Sequence, residues 1–523
     1  SRCDHCLNGY SFRLCSLNKK FLRFQKSKKS ISNGFVQIEL MEEQVKNRYT
    51  VVIGLEVHAQ LLTKSKIYNS DSAAYGDAPN TNLSAITLAH PGTLPKLNKK
   101  VVEHAIKMGL ACHSEISRLQ IFDRKNYFYP DLPKGYQLTQ DRTPICVGGY
   151  ITITTKAGDS NIPLNRIHIE EDAGKSIHLD GETDTLVDFN RSGVPLIEIV
   201  TEPALRSSEE AHALLTEIRK LVRYLEICDG NMEEGSMRCD ANVSVMLKAA
   251  KEYGKKVEVK NMNSIRNVQR AIDHEAERQI ALLENNELIV SETRTFDANT
   301  GLTHSMRTKE ELNDYRYFPD PDLSPMEVSE AWLQAVTNSM PALPRALQQK
   351  FISVYNLPAY DAHVLTDSKE MAFYFEEICK HTKNFKAASN WMMGPVKSWL
   401  NDNNLLTNHL PLSPAALAQV IALIDEGKLN FAVASQKLFP ELLSNPNKSP
   451  LDLAQQLNLI QDSSEDSIMP FVEAVIQQFP EKVAEYKKGK KAIISMFMGE
   501  VMKRTKGKAD PKLATELLIK KMS

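Results

Sequence analysis

The sequence has no long hydrophobic run and almost no net charge. None of its apolar stretches approaches the roughly 20 residues that a membrane-spanning helix needs, and mean hydropathy is −0.34. Its 64 Lys and Arg residues against 65 Asp and Glu residues give a net charge of −1, so a nucleic-acid surface has to arise from local segregation of charge. We expect a globular protein of roughly two to four domains from its length of 523 residues.

Cysteine is scarce too, with eight residues in the whole chain. This number is typical of free thiols in a reducing compartment and excludes a dense disulfide framework. Cys3 and Cys6 form a lone CxxC, and only Cys15 follows nearby. A structural zinc site usually needs four ligands, so this cluster is a weak metal signal.

Residues 1–45 differ from the rest of the chain. Residues 1–30 contain eight Lys or Arg residues and one acidic residue. A basic, acid-poor segment is typical of an organellar transit peptide. The alternative, which we favour, is an upstream translated leader or a cloning remnant, because Met41 stands just before the first strong strand pattern. In either case we expect residues 1–45 to be disordered.

The remaining chain changes character near "DYRYFPDPDLSP" at residues 314–325. Strand and helix patterns alternate irregularly before it, which predicts an α+β domain with a mainly antiparallel sheet over residues 46–328. Helical patterns dominate after it, and short linkers near 401–414 predict an all-α domain over 329–408 and an all-α tail domain over 409–523. Ser413, Pro414 and Gly427 provide the start and stop signals of one tail helix.

"VVIGLEVHAQL" at residues 51–61 alternates like a half-buried strand. Glu56 and His58 are two residues apart and therefore project from the same face. A half-buried ion pair explains this arrangement as well as a functional site does.

Two further acidic segments favour a metal site. "RIHIEEDAGKS" at 166–176 carries Glu170, Glu171 and Asp172 in succession, followed by Lys175, and adjacent carboxylates repel unless a cation or water separates them. Glu198 interrupts the apolar strand "GVPLIEIVTEP", where an unpaired carboxylate is costly. The alternatives are a solvated strand end and an ordinary salt bridge. Glu56, His58, Glu171 and Glu198 form an oxygen-rich set that suits Mg²⁺ or Mn²⁺, with a nucleotide phosphate completing the shell.

Cationic and aromatic side chains accompany these acids. "FDRKNYFYPDLPKGYQLTQ" at 122–140 combines cationic and aromatic residues that could bind phosphate and stack a base. An ordinary aromatic-rich loop packed on the sheet would have the same composition. "MEEGSMRCDANVSV" at 232–245 is by itself only a charged turn. The residues predicted to bind the nucleotide are Lys125, Tyr127, Lys134, Lys175 and Arg238.

Positive charge is concentrated in the C-terminal tail, where residues 481–523 contain twelve Lys or Arg residues and five acidic residues. Two basic loops flanking an amphipathic helix suit contact with the phosphates of a folded RNA. A solvated helical surface is the simpler explanation of such a charge run. The predicted tRNA-binding residues are Lys487, Lys488, Lys490, Lys491, Lys503, Arg504, Lys506 and Lys508.

Eight colinear segments closely resemble the B subunits of the glutamyl/aspartyl-tRNA amidotransferases. They are "VIGLEVHAQL", "FDRKNYFYPDLPKGYQ", "HIEEDAGKS", "DFNRSGVPLIEIVTEP", "MEEGSMRCDANVS", "DYRYFPDPDL", "LPAYDAHVLT" and "SNWMMG". The resemblance covers the chain from about residue 50 to its C-terminus. It implies an α+β cradle domain, a helical domain and a YqeY-type tail that contacts tRNA.

The resemblance also implies a reaction. Such a protein phosphorylates the side-chain carboxylate of misacylated Glu-tRNA(Gln) or Asp-tRNA(Asn) with ATP and Mg²⁺, and ammonia then displaces the phosphate. A partner amidase, the A subunit, provides the ammonia, and a small C subunit completes a heterotrimer. By resemblance the catalytic and metal residues map onto Glu56, His58, Glu171 and Glu198. The implied location is the bacterial cytoplasm, or an organelle if residues 1–40 are a transit peptide.

One segment departs from the family pattern. Many relatives carry two cysteine pairs that suffice for zinc, and the corresponding positions here are Asn69, Asp71, Ser84 and Thr87. We therefore predict no zinc at this place. Two other functions stay open from the sequence: a non-catalytic tRNA-binding scaffold with a structural acidic cluster, and a stand-alone metal hydrolase. The basic tail and the single histidine among the proposed ligands argue against the hydrolase.

Overall fold

A computed structural model describes residues 45–179, 181, 183–308, 315–460, 465–505 and 509–522, so all but the last residue of the predicted leader lies outside the described residues. The described chain forms two compact units. The first comprises residues 45–219 and Ile227–Asn338. The second comprises Lys220–Glu226 and the residues from Ser339 onwards. No helix among the described residues has the length and apolar character to cross a membrane.

The first unit contains all the described strands and four of the described helices. Its strands are β1 Tyr49–Gln60, β2 Glu115–Ile116, β3 Leu119–Gln120, β4 Asp123–Asn126, β5 Tyr136–Thr139, β6 Cys146–Val147, β7 Tyr150–Thr155, β8 Gly158–Glu171, β9 Lys175–His178, β10 Thr185–Asp188, β11 Pro195–Thr201, β12 Met237–Leu247, β13 Val257–Lys260, β14 Glu292–Asp297, β15 Leu302–Thr308, β16 Phe318–Pro319 and β17 Met326–Glu327. Its helices are α1 Lys99–Ala111, α2 Ser208–Tyr224, whose last turn falls in the second unit, α3 Ile265–Glu284 and α4 Glu330–Asn338.

A ten-stranded sheet organises this unit. Its strand order is β15-β14-β13-β12-β1-β11-β8-β6-β2, with β7 paired to β8. The pairing of β13 with β14 is parallel and the other pairings are antiparallel. Helix α1 packs against β8, and helix α3 packs against β12. The predicted α+β class with a mainly antiparallel sheet, followed by helical domains, is confirmed.

The two faces of β1 differ in the way that its alternating pattern predicts. Ile53, Leu55, Val57 and Ala59 are at most 1% exposed and belong to the core. On the other face, the sheet register places four polar residues in one row. Arg238 of β12 pairs with His58 of β1, His58 with Glu198 of β11, and Glu198 with His168 of β8. Because directly paired residues share a face, their side chains converge above the centre of the sheet.

Helix α4 closes the first unit. Trp332 Nε1 donates a hydrogen bond to Glu103 Oε1 of α1 at 3.4 Å, and Lys99 Nζ lies 5.1 Å from the centre of the Trp332 ring. The sequence predicted a domain boundary at residue 328. In the structure the division falls after Asn338, because α4 packs on α1.

The second unit is helical throughout its described residues. Its α-helices are α5 Pro344–Ser353, α6 Ala359–Leu365, α7 Lys369–His381, α8 Phe385–Trp391, α9 Lys397–Asp402, α10 Pro414–Asp425, α11 Phe431–Val433, α12 Phe439–Ser444, α13 Pro450–Gln456, α14 Glu465–Gln478, α15 Pro480–Lys487, α16 Ile494–Arg504 and α17 Pro511–Met522. The predicted start and stop of α10 are present: Ser413 Oγ accepts from Ala416 N at 3.2 Å, and Gly427 has a positive φ of 72°.

Two apolar clusters hold these helices together. One contains Tyr224 of α2 and residues from Leu347 to Ala454, including Leu417 and Ile421 of α10. The other extends from Ile468 to Met522. The sequence predicted a boundary at residue 408, but α10 packs against α7 within the first cluster, so the change of cluster occurs after Ala454.

Candidate active site

A cavity of about 750 Å³ opens above the polar row of the main sheet. This volume lies in the range of small-molecule and cofactor sites. His58 and Tyr127 line the cavity together with six carboxylates and four Lys or Arg side chains. The carboxylates are those of Glu56, Glu170, Asp172, Glu198, Asp240 and Glu258, and the cations are Lys125, Arg238, Lys256 and Lys260.

Two side chains of the row, His58 and Glu198, can share one metal ion with Glu170. His58 Nε2 lies 3.4 Å from Glu170 Oε1 and 3.6 Å from Glu198 Oε2. One ligand atom from each residue lies within 4.8 Å of the other two. Two carboxylates and one imidazole form a hard donor set, which fits Mg²⁺ or Mn²⁺. His58, Glu170 and Glu198 are therefore the residues that would hold the divalent ion.

His168 supports this group from the edge of the row. Its Nε2 lies 3.2 Å from Glu198 Oε2 and 3.8 Å from Glu170 Oε2, and the side chain is 4% exposed. Burial lowers the pKa of His168, but hydrogen bonds to Glu170 and Glu198 outweigh it and raise the pKa to about 9. His168 Nε2 thus lies at hydrogen-bond distance from Glu198 and can orient its carboxylate, as groups behind metal ligands commonly do.

Burial and neighbouring charges also act in opposite directions on the pKa values of the proposed ligands His58 and Glu198. Burial lowers the pKa of His58, but the hydrogen bond to Glu198 and the charges of Glu198 and Glu170 produce a net increase. Burial raises the pKa of Glu198, whereas its contacts with His168 and His58 hold it well below its usual range. Glu198 is therefore ionised at neutral pH, and a metal ion competes with a proton for His58.

A second acidic group lies beside the first. Glu56, Asp240 and Glu258 also offer ligand atoms within 4.8 Å of one another. Lys260 Nζ forms an ion pair with Asp240 and lies 3.0 Å from Glu258 Oε1. Asn242 Nδ2 donates to Glu56 Oε1 at 2.9 Å. Glu56, predicted as a ligand together with His58, therefore belongs to this neighbouring group.

The structure does not bring Glu171 to the metal group. Glu171 Oε1 forms an ion pair with Lys134 and accepts a hydrogen bond from Leu138 N at 2.9 Å. Both side chains line a separate cavity of about 100 Å³ that also contacts Tyr68. The reason is strand alternation: Glu171 follows Glu170 in β8, so it projects from the opposite face. Glu170 occupies the position that the sequence prediction gave to Glu171.

Three of the five predicted nucleotide-binding residues line the main cavity, and two do not. Lys125, Tyr127 and Arg238 line the main cavity. Arg238 Nη2 donates to Asp172 Oδ2 at 2.9 Å. Lys134 is held by Glu171. Lys175 is an exposed residue at the start of β9 and does not line the cavity.

Sequence reasoning missed several residues that line or support the main cavity. They are His168, Lys256, Glu258 and Lys260, together with Glu170 and Asp240, which were noted only as members of an acidic run and of a charged turn. The period-two pattern used for Glu56 and His58 also joins His168 to Glu170, so that signal was available. "KVEVK" at 256–260 alternates in the same manner, but only the sheet register shows that β13 lies beside β12.

Three of the four positions aligned with the family's zinc pattern, Asn69, Asp71 and Thr87, form a hydrogen-bonded group. Asn69 Nδ2 donates to Thr87 Oγ1 at 2.9 Å, and Thr87 Oγ1 donates to Asp71 Oδ2 at 2.5 Å. Ser84 lies in the same segment with its hydroxyl buried. Side-chain hydrogen bonds thus connect the two ends of this segment directly.

The predicted tRNA-binding residues lie on the surface of the second apolar cluster. Those in the described residues are all exposed: Lys487, Lys488, Lys490, Lys491, Lys503 and Arg504. Lys490 Nζ lies 3.1 Å from Glu485 Oε2, and Arg504 donates to Gln478. Lys506 and Lys508 lie outside the described residues.

Comparison with known proteins agrees with the resemblance noted in the sequence. The model of the GatB/GatE catalytic domain matches residues 51–334, and that of the GatB domain matches residues 373–522. Proteins named as the B subunits of aspartyl/glutamyl-tRNA(Asn/Gln) amidotransferases are similar over nearly their whole length. The protein from Caldicellulosiruptor bescii is 48% identical over 90% of this chain and 98% of the relative. The protein from Thermodesulfovibrio yellowstonii is 46% identical over 90% and 99%, and that from Geotalea daltonii is 47% identical over 91% and 99%.

A catalytic-domain model that covers more than half of the chain, together with relatives at least 46% identical over about 90% of it, settles the family. The chain belongs to the GatB family, the B subunits of tRNA-dependent amidotransferases.

Proposed function

We propose that this chain activates the side-chain carboxylate of Glu-tRNA(Gln), Asp-tRNA(Asn) or both with ATP, and that it converts the activated group to the amide with ammonia. One observation carries the proposal: a hard metal-binding group and four cationic side chains meet in a nucleotide-sized cavity of the catalytic domain. The products are Gln-tRNA(Gln) and Asn-tRNA(Asn).

The chemistry explains the need for ATP. A free carboxylate is a poor acyl donor, so one of its oxygens attacks the γ-phosphorus of ATP and the bond to the β-phosphate oxygen breaks, which releases ADP. Ammonia nitrogen then attacks the activated acyl carbon and loses a proton, and the bond from that carbon to the phosphate oxygen breaks. Charge on the transferring phosphoryl group requires cationic stabilisation.

The side chains of the cavity match these requirements. His58, Glu170 and Glu198 would hold Mg²⁺, which screens the negative charge of the triphosphate when it is bound. Lys125 and Arg238 supply further positive charge, and Arg238 is fixed by Asp172. Tyr127 offers an aromatic ring and a hydroxyl at the cavity wall.

The activity requires partners. We propose that a partner amidase, the A subunit, releases ammonia from glutamine, that a small C subunit completes the heterotrimer, and that the basic tail binds the tRNA. We further propose that the complex works in the bacterial cytoplasm, or in an organelle if residues 1–40 direct import. A fluorescent reporter fused behind residues 1–44 separates these two locations.

The test uses the assembled complex with Glu-tRNA(Gln), ATP and Mg²⁺, and with ammonium chloride in place of glutamine. We expect ADP and Gln-tRNA to form together, and we expect Glu198→Gln to abolish both while it preserves tRNA binding. Glu287→Gln, at an exposed site, serves as the matched control. Undiminished amidation by Glu198→Gln would favour the scaffold function, and metal-dependent hydrolysis of a substrate without any partner and without ATP would favour the hydrolase.

A further inference from the structure

The second acidic group poses a problem that the first does not. Glu56, Asp240 and Glu258 are as close together as the proposed magnesium ligands, with one ligand atom from each within 4.8 Å of the others. Three ionised carboxylates at this spacing repel one another unless a cation lies between them. In this group the cation belongs to the protein itself.

That cation is Lys260. Its Nζ forms an ion pair with Asp240 and lies 3.0 Å from Glu258 Oε1. The arrangement follows from the sheet. Ala241 of β12 pairs with Val259 of β13, which places Asp240 beside Lys260, and Glu258 precedes Lys260 by two residues on the same face. The Lys260 side chain is 29% exposed, and its neighbouring acids are 18% exposed.

The charge of the cavity points to the same role. Lys260 is one of four Lys or Arg side chains that oppose six carboxylates in this cavity. Without Lys260 the second acidic group has no ion-paired cation among the described residues.

We propose that Lys260 is a resident cation that takes the place of a second metal ion. The cavity then holds one exchangeable divalent ion at His58, Glu170 and Glu198, and one fixed ammonium at Glu56, Asp240 and Glu258. An ammonium has three N–H donors. Two of them are directed to Asp240 and Glu258, which leaves one for an anionic ligand in the cavity that Lys260 lines.

A fixed cation has a physical advantage over a second ion. Its position is set by the sheet before the ligand arrives, so it needs no reorganisation when charge develops on a phosphoryl group. That the anionic ligand of Lys260 is a triphosphate rests on the proposed function. The expected number of bound metal ions does not depend on the proposed function.

The test counts Mn²⁺ bound to the full chain without nucleotide, by equilibrium titration with electron paramagnetic resonance detection. We expect one ion on the wild type and two on Lys260→Met, since methionine removes the charge and keeps an unbranched side chain. Lys256→Met is the matched control, because Lys256 lines the same cavity without an ion pair of the kind that Lys260 makes. We expect it to bind one ion.

Two further variants locate the extra ion. Lys260→Arg keeps the positive charge and should bind one Mn²⁺. The triple variant Lys260→Met, Asp240→Asn, Glu258→Gln should return to one ion because the second group has lost its charge. Two ions on the wild type, or one ion on a folded Lys260→Met, would overturn the inference. If the wild type binds one ion and Lys260→Met binds two, but no substrate yields ADP, the resident cation is supported and the proposed function fails. If the complex forms the amide but Lys260→Met binds the same number of ions as the wild type, the proposed function is supported and the resident cation fails.

Discussion

Glu170 and Glu171 are adjacent in the chain, yet their carboxylates have different partners on opposite faces of β8. Glu170 Oε1 lies 3.4 Å from His58 Nε2, above the sheet row, whereas Glu171 Oε1 accepts from Leu138 N at 2.9 Å and pairs with Lys134. Strand geometry separates two charges that the sequence places side by side. One carboxylate is available to a metal ion, and the other stabilises the loop that carries Lys134.

The contact between His168 and Glu198 predicts a role behind the metal ligands. Replacing His168 by Leu removes a donor 3.2 Å from Glu198 Oε2, so Glu198 loses orientation but remains a ligand. We expect Mn²⁺ affinity to fall about tenfold, with one ion still bound. Titration of His304→Leu, at an exposed site on β15, provides the control. Equal affinities of the two variants would show that His168 does not position Glu198.

Arg124 fixes the segment that follows the main sheet. Its Nε donates to Asp320 Oδ2 at 2.5 Å, its Nη2 donates to Asp322 Oδ2 at 3.0 Å, and its guanidinium lies 4.2 Å from the centre of the Tyr136 ring. Lysine cannot reproduce this forked and stacked arrangement. Arg124→Lys should therefore weaken local stability by about 1.4 kcal/mol, which corresponds to about tenfold faster hydrogen exchange in residues 318–323.

The control for this measurement is Arg118→Lys. Arg118 pairs with the exposed Glu330, and exposed pairs contribute little to stability. Exchange in residues 318–323 should match the wild type in this variant. Unchanged exchange in Arg124→Lys would contradict the proposed anchoring.

His104 predicts a loss of stability in acid. The side chain is 4% exposed in α1, and neither ring nitrogen has a hydrogen-bond partner among the described residues. Burial, with a smaller contribution from Lys100 and Lys107, lowers the pKa of His104 to about 4. The unfolded chain, with a pKa near 6.5, binds more protons between these values. The free energy of unfolding therefore falls as pH drops from about 6.5 to 4.

The variant His104→Leu lacks this proton. At each pH we compare the free energy of opening of α1, measured by hydrogen exchange, in the variant and in the wild type. We expect the variant's advantage to be about 1 to 2 kcal/mol larger at pH 5 than at pH 8. The comparison is made after correction for the intrinsic exchange rate. A difference between the two proteins that is the same at both pH values would rule out burial of a neutral histidine.

The exposed cations of the tail predict salt-dependent tRNA binding. Substituting Lys487, Lys488 and Lys503 together by Ala should reduce the slope of log affinity against log salt by about two to three units. Point variants are preferable to truncation because Val501 and Leu518 belong to the same apolar cluster as Val472. Lys428→Ala with Lys448→Ala, at exposed sites outside that cluster, is the control. An unchanged slope would exclude the tail cations from phosphate contact.

The sequence predicts those features that depend on local pattern. Alternation in β1 gives the shared face of Glu56 and His58, and the cap residues give α10. Pairings between distant strands are not contained in any short pattern. The ion pair of Lys260 with Asp240 requires the register of β12 and β13, and the ion pair of Glu171 with Lys134 requires β5 to lie against β8. Glu170 was within reach of the period-two rule, but the prediction took its neighbour Glu171 from the same run of acids.

The most direct test of the account is a Mn²⁺ titration of Glu170→Gln and Glu171→Gln. We expect Glu170→Gln to lose metal affinity by about a hundredfold, because one of three protein ligands is neutralised. Glu171→Gln should bind one Mn²⁺ with an affinity within a few-fold of the wild type and should be less stable, because Lys134 loses its charged partner. Loss of metal binding in Glu171→Gln together with full binding in Glu170→Gln would contradict the site described here.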